Sequence, residues 1–170
     1  MAIENVITKY SDMLFKICLV ILCHEADAQD AVQETFIKYM TKAPDFNDEE
    51  HQKAWLIRVA TNICKDLCRF RNRHTHVNIE QLSDYYQAPE SAGILEDVLS
   101  LPPKYKIVIH LYYVEEYDVK SIAEIIGISV SAVKKRLQRG REMLKLEYTK
   151  EDLPDERTRF KTDTYGSSCQ

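Results

Sequence analysis

The 170-residue chain has little of what most enzymes and secreted proteins are built on. Its four glycines never gather into a phosphate-cradling loop, and no HExxH or nucleophile elbow occurs. Five cysteines, an odd number and without a CxxC, argue against a disulfide framework and predict a reduced, cytosolic chain. Cys64, Cys68 and His24 could be drawn as a metal site, but small buried hydrophobes are the simpler reading of cysteines in apolar helical patterns. No cofactor is expected. The apolar run Ile17 to Cys23 is far shorter than the ~20 residues that span a bilayer, and nothing at the N-terminus resembles a signal peptide. Strand-type alternation is absent, as are internal repeats.

What is present is helical periodicity in two blocks, which predicts an all-α chain. Apolar residues recur from Ile3 to Leu22. A second helix, Asp27 to Met40, has Ala28, Val32, Phe36 and Tyr39 available for the inside and Asp30, Gln33, Glu34 and Lys38 on another face. A loop is expected over Lys42 to Gln52, with Phe46 as its one large apolar residue. The helix Lys53 to Arg73 is expected to turn Trp55, Val59, Ile63, Leu67 and Phe70 to the core, with Arg58, Asn62, Lys65 and Arg69 outside. The helical period then lapses from His74 to about Ser91.

The second block begins with a short helix, Gly93 to Leu101. Pro102-Pro103 starts the next, Lys104 to Glu116, with Ile107, Val108, Leu111 and Tyr112 inside. Asp118 then caps a short amphipathic helix, Gly127 ends it in a tight turn, and Ser129 caps a longer basic helix. A small residue, Ala123, a glycine turn and a locking Val133 are the ordered features of a helix-turn-helix, whose second helix enters the DNA major groove. The net charge of −4 does not suggest a general nucleic-acid coat. The basic residues are instead concentrated at Arg58 to Arg73 and Lys134 to Lys145, while Glu80 to Asp97 holds no Lys or Arg. An acidic chain that binds a polyanion must aim local patches at it. The residues after Tyr148 read as a polar tail.

Together, DAQDAVQETFIKYM, KAWLIRVATNICKDLCRFRNR and SLPPKYKIVIHLYYVEEYDVKSIAEIIGISVSAVKKRLQRGREMLK resemble the extracytoplasmic-function subgroup of the bacterial sigma-70 family. The resemblance covers roughly residues 3–148 and implies two small helical domains: a region 2-like domain over 1–74 and a region 4-like helix-turn-helix domain over 93–148. A flexible acidic linker (75–92) joins them and a tail (149–170) follows. It further implies a cytoplasmic promoter-specificity factor without catalytic residues or bound metal. Its partners would be core RNA polymerase, promoter DNA and an anti-sigma factor that can hold it at the membrane without its own insertion. Asp30, Gln33 and Glu34 match the family's polymerase contacts. Phe46 matches the residue that captures a flipped non-template base of the −10 element, with Trp55, Arg58, Asn62, Lys65 and Arg69 on the same DNA-facing helix. Ser131, Lys134, Lys135, Arg136, Gln138 and Arg139 fall on the helix that meets the −35 element. The loop reads FNDEE, acidic where the family often carries basic or glycine residues. The alternatives are a dimeric helix-turn-helix regulator that binds an operator without polymerase, and a metal-dependent enzyme.

Overall fold

The computed structural model describes residues 3–71 and 97–144; the expected linker, the tail, Lys145 and Cys169 lie outside them. Within the described residues all regular structure is helical. Three helices form the N-terminal cluster: α1 (Ile3–Leu22), α2 (Glu25–Lys42) and α3 (Glu49–Arg71). A helical stretch at 97–100 leads into the C-terminal cluster of α4 (Pro103–Tyr113), α5 (Val119–Ile126) and α6 (Val130–Met143). Each helix packs on the other two of its cluster. No described helix is long and apolar enough to cross a membrane.

The core of the first cluster is the expected stripe of α1, with Val6, Tyr10, Leu14, Ile17 and Cys18 buried. Ala28, Ala31, Thr35 and Phe36 of α2 and Leu56, Ile57, Ala60, Ile63 and Cys64 of α3 complete it. Thr35 is accommodated because its hydroxyl donates to the Ala31 carbonyl at 2.7 Å. Cys18, Cys23 and Cys64 are buried free thiols and Cys68 is half-buried. Contact with Cys18 and then burial push the Cys64 thiol far up, so it is an inert core residue.

Several boundaries differ from the periodicity reading; α2 runs two residues further at each end than Asp27 to Met40. The third helix starts at Glu49 rather than Lys53, because Asp48 caps it: its carboxylate accepts from the His51 backbone N–H at 2.7 Å. Glu49 and Glu50 then occupy the first turn, where the helix dipole favours anions. The acidity of the FNDEE loop is thus a helix start. The core stripe of α3 is also rotated. Leu56, Ile57, Ala60, Ile63 and Cys64 centre it near Ala60, so a stripe phased on Trp55 is off by roughly 80° at 100° per residue. Phe70 therefore does not face the core; it is 90% exposed.

In the second cluster α4 buries Ile107, Val108, Ile109 and Leu111, and ends at Tyr113 rather than Glu116. Helices α4 and α6 come close at Gly140. A Cβ there would lie 3.0 Å from Ile109 Cγ1 and 3.2 Å from Cδ1, so only a glycine leaves Ile109 in place.

Candidate nucleic-acid interface

The turn between α5 and α6 is built by three residues. The Asp118 carboxylate accepts from the Ser121 N–H at 2.7 Å and starts α5. Gly127 takes φ 68° and ψ 44°, the left-handed conformation that ends it. Ser129 Oγ accepts from the Ala132 N–H at 3.2 Å and starts α6. Ile122, Ala123, Ile126, Val133 and Leu137 are buried between the two helices and α4, as expected, and Ile125 joins them.

This packing turns the charged side of α6 outward. Ser131, Lys135, Gln138 and Arg139 are exposed and Lys134 is half-buried beside them. Glu142 ties down part of that face: Gln138 Nε2 donates to it at 3.1 Å and Arg139 Nη1 at 3.0 Å. Arg136 points elsewhere, about 140° around the helix from Ser131, and is half-buried. Arg141 has a structural task that composition could not reveal. Its Nε donates to Tyr113 Oη at 2.6 Å, and its guanidinium carbon lies 5.5 Å from the rings of both Tyr112 and Tyr113.

On the first cluster, Trp55, Arg58, Asn62, Lys65 and Arg69 fall at spacings of three and four and form one stripe of α3. Arg58, Asn62 and Arg69 are exposed; Trp55 and Lys65 are half-buried. Lys65 Nζ lies 3.5 Å from Asn62 Oδ1. Burial first, then the positive charges of Arg136, Arg69 and Arg58, pull the Lys65 ammonium below its ordinary pKa.

The loop before α3 ends in an aromatic cluster. Phe46 stacks parallel on Tyr39 at 5.9 Å and meets Trp55 and His51 edge-on at 5.9 and 5.5 Å. Tyr39 is fixed in turn by the Gln52 amide, which donates to its hydroxyl at 2.7 Å. Beside this cluster lies an open hollow of about 540 Å³ lined by Tyr39, Phe46, Gln52 and the carboxylates of Asp45, Asp48 and Glu49. Phe46 does anchor the loop, through Tyr39, Trp55 and His51; Tyr39 and Trp55 in turn pack against the central core.

Asp30, Gln33 and Glu34 stand exposed on α2, opposite its core stripe. Glu34 pairs with Lys38 at 2.9 Å. Ile37 and Met40, 55% and 59% exposed, continue the same face. Two large apolar side chains beside three polar ones make a surface suited to a protein partner. The sequence reading missed them, because the inward stripe of α2 had already absorbed the apolar signal.

Sequence comparison decides what carries these surfaces. Residues 6–74 match the model of sigma-70 region 2, and residues 94–144 match that of sigma-70 region 4. The chain is 31% identical over 163 residues to the ECF RNA polymerase sigma factor SigW of Bacillus subtilis, covering 85% of this chain and 87% of that protein. The chain belongs to the ECF subgroup of the sigma-70 family. Other relatives include RNA polymerase sigma factor SigV of B. subtilis, 28% identical over 154 residues (86% of this chain, 91% of that protein). RNA polymerase sigma factor CnrH of Cupriavidus metallidurans is 30% identical over 138 residues (71% and 72%). The protein is therefore a non-catalytic sigma factor that directs transcription initiation through core RNA polymerase and promoter DNA. This sets aside the operator-binding regulator and the metal-dependent enzyme.

Proposed function

We propose that residues 1–74 dock this sigma factor on core polymerase and hold the −10 element, that residues 93–148 grip the −35 element, and that 75–92 links the two, with 149–170 as a tail. Polymerase docking uses Asp30, Gln33 and Glu34, extended by Ile37 and Met40. The displaced −10 strand runs along Arg58, Asn62, Lys65 and Arg69, and a flipped base enters beside Phe46 and Trp55. Ser131, Lys134, Lys135, Arg136, Gln138 and Arg139 serve the −35 duplex, with Arg136 at its margin.

The observation that carries this reading is the aromatic cluster at the start of a basic helical stripe. Tyr39, Phe46 and Trp55 are locked by mutual ring contacts. A base extruded from the duplex costs a few kcal/mol, and stacking on such a platform returns about 1–3 kcal/mol. The adjacent carboxylates favour base edges rich in donors and repel phosphate, which leaves the backbone to the α3 cations. An anti-sigma factor is the remaining expected partner. It would have to cover either the α2 face or the basic stripes to silence the protein.

The test is Lys134→Ala with Arg139→Ala. Transcription from a −35-dependent promoter should be lost while affinity for core polymerase stays at the wild-type value. Loss of both together would assign these residues to folding instead.

A further inference from the structure

The first turn of α6 holds an apolar side chain that the fold does not use. Val130 is the first residue of that helix, directly after the Ser129 cap. Helical spacing sets it close to the line of Leu137, two turns on, which is buried. Val130 is nonetheless 38% exposed and stands outside the core. The tasks of a helix start are already met by its neighbours. Ile128 and Val133 occupy the two positions whose apolar contact staples the entering chain to a helix; Val133 is fully buried and Ile128 packs against the core. Ser129 Oγ accepts from the Ala132 N–H, and Ser131 Oγ lies 3.1 Å from it. Helix propensity does not ask for Val130 either, since a β-branched residue is a poorer helix former than alanine.

Its place in the helix-turn-helix gives this side chain a meaning. The N-terminal residues of the second helix are the ones that meet base edges in the major groove. Side chains of a helix lean toward its N-terminus, so Val130 leads α6 into the groove. Lys134 follows one turn behind on nearly the same line, and Lys135 is exposed beside it. Cations suit the phosphates, which position a helix without carrying sequence information. An alkyl group at the tip suits something else. Of the four bases, thymine alone sets a methyl group in the major groove; the other edges offer hydrogen-bond donors and acceptors there. Against those edges valine would displace water and return no hydrogen bond. Valine also has one strongly preferred χ1 in a helix, so holding it against a methyl group costs little side-chain entropy.

We propose that Val130 is a specificity-determining residue of this sigma factor, packing on the 5-methyl group of a thymine in the −35 element. The inference rests on the reading of α6 as the −35 helix. It divides the labour of that helix: Lys134, Lys135 and Arg139 supply affinity for the duplex, and Val130 supplies preference at one base pair. The size of that preference follows from the contact. Removing one methyl group from water is worth about fourfold in binding. A base that presents a donor or acceptor to Val130 loses that contact and also leaves its own polar group without a partner.

The test uses holoenzyme assembled from the full chain and core RNA polymerase. Promoter templates with a randomised −35 region are selected by binding to the wild-type holoenzyme and to Val130→Ser. An exposed position outside the core tolerates this change, so the variant should fold as the wild type does. The wild type should select thymine at one position where Val130→Ser selects no base, with the other positions unchanged. Deoxyuridine, which is thymidine without the methyl group, then replaces that thymine in the selected sequence. The replacement should weaken wild-type binding about fourfold and leave Val130→Ser binding unchanged, the mark of a direct pair. A wild-type selection with no thymine that depends on Val130 overturns the proposal, and so does a uracil penalty equal in both proteins. If the wild type selects nothing at all in the −35 region, the reading of α6 fails and the inference falls with it.

Discussion

The close approach of α4 and α6 at Gly140 can be turned into a measured energy. Glycine inside a helix is about 1 kcal/mol worse than alanine, so Gly140→Ala should stabilise α6 if space were free. It is not free: the new methyl would meet Ile109 Cγ1 at 3.0 Å and Cδ1 at 3.2 Å, and Ile109 is only 3% exposed. Overpacking a core costs about 1–3 kcal/mol. The net expectation for Gly140→Ala is destabilisation by about 1 kcal/mol. Ile109→Ala removes both Cγ1 and Cδ1 and alone costs about 3 kcal/mol. In the double variant the methyl at position 140 meets neither atom and its helix propensity is recovered, so the total should stay at about 2 kcal/mol and not reach the sum of about 4 kcal/mol, a coupling of about 2 kcal/mol. Urea unfolding of the four proteins followed by circular dichroism measures this. Strict additivity, or a Gly140→Ala protein more stable than wild type, would refute the packing that sets the outward face of the recognition helix.

Two further outcomes separate structural charges from functional ones. Arg141→Gln should destabilise the protein by about 1 kcal/mol through loss of the Tyr113 hydrogen bond and the contact with two rings. It should leave transcription by the folded protein nearly unchanged, whereas Arg139→Gln should do the reverse; urea melts and in vitro transcription report the two. Acid should weaken the packing of α3 on the C-terminal cluster through Glu115, which pairs with Lys53 of α3 at 3.1 Å. Burial tends to raise its carboxyl, but His110 and Lys53 outweigh burial and hold it below the ordinary glutamate value of 4.5. Its stabilising contribution is therefore complete above about pH 4.5 and is lost as pH falls through the lowered folded value. Lys53, His110 and Tyr117 are the titratable groups that bear on it. Scattering between pH 7 and pH 3 should show the wild type expanding at the acid end, with Glu115→Gln less pH-dependent there.

The helices were legible because their periodicity and caps are local: Asp118, Gly127 and Ser129 mark α5 and α6 by the chemistry each end requires. What was not legible depended on phase and partner. The spacing puts Trp55, Val59, Ile63, Leu67 and Phe70 on one core stripe, yet Trp55 packs only at the edge of the core, where its ring joins Tyr39 and Phe46, and Phe70 is left outside. The acidic FNDEE stretch read as an unusual DNA loop, whereas Asp48 and Glu49 answer to the start of α3. Ile37 and Met40 fall on the outward face of α2 with Asp30, Gln33 and Glu34, where an apolar side chain answers to a partner and not to the packing of the chain itself. Most candidate DNA residues emerged on the expected outward faces, since long basic side chains on an amphipathic helix have little choice. Arg136 and Lys65 depart from this, both half-buried and close enough for the charge of Arg136 to bear on Lys65, a proximity the sequence does not announce.

Docking of the exposed α2 face on core polymerase underlies every later step proposed for the protein. Affinity of the purified chain for core RNA polymerase should be measured for the wild type and for Gln33→Ala with Glu34→Ala. Both side chains are exposed and make no core contact, so the variant should fold as the wild type does. The wild type should bind and the variant should lose that binding, with promoter-directed transcription falling in parallel. A folded variant that binds core polymerase as tightly as the wild type would contradict the assignment of this face.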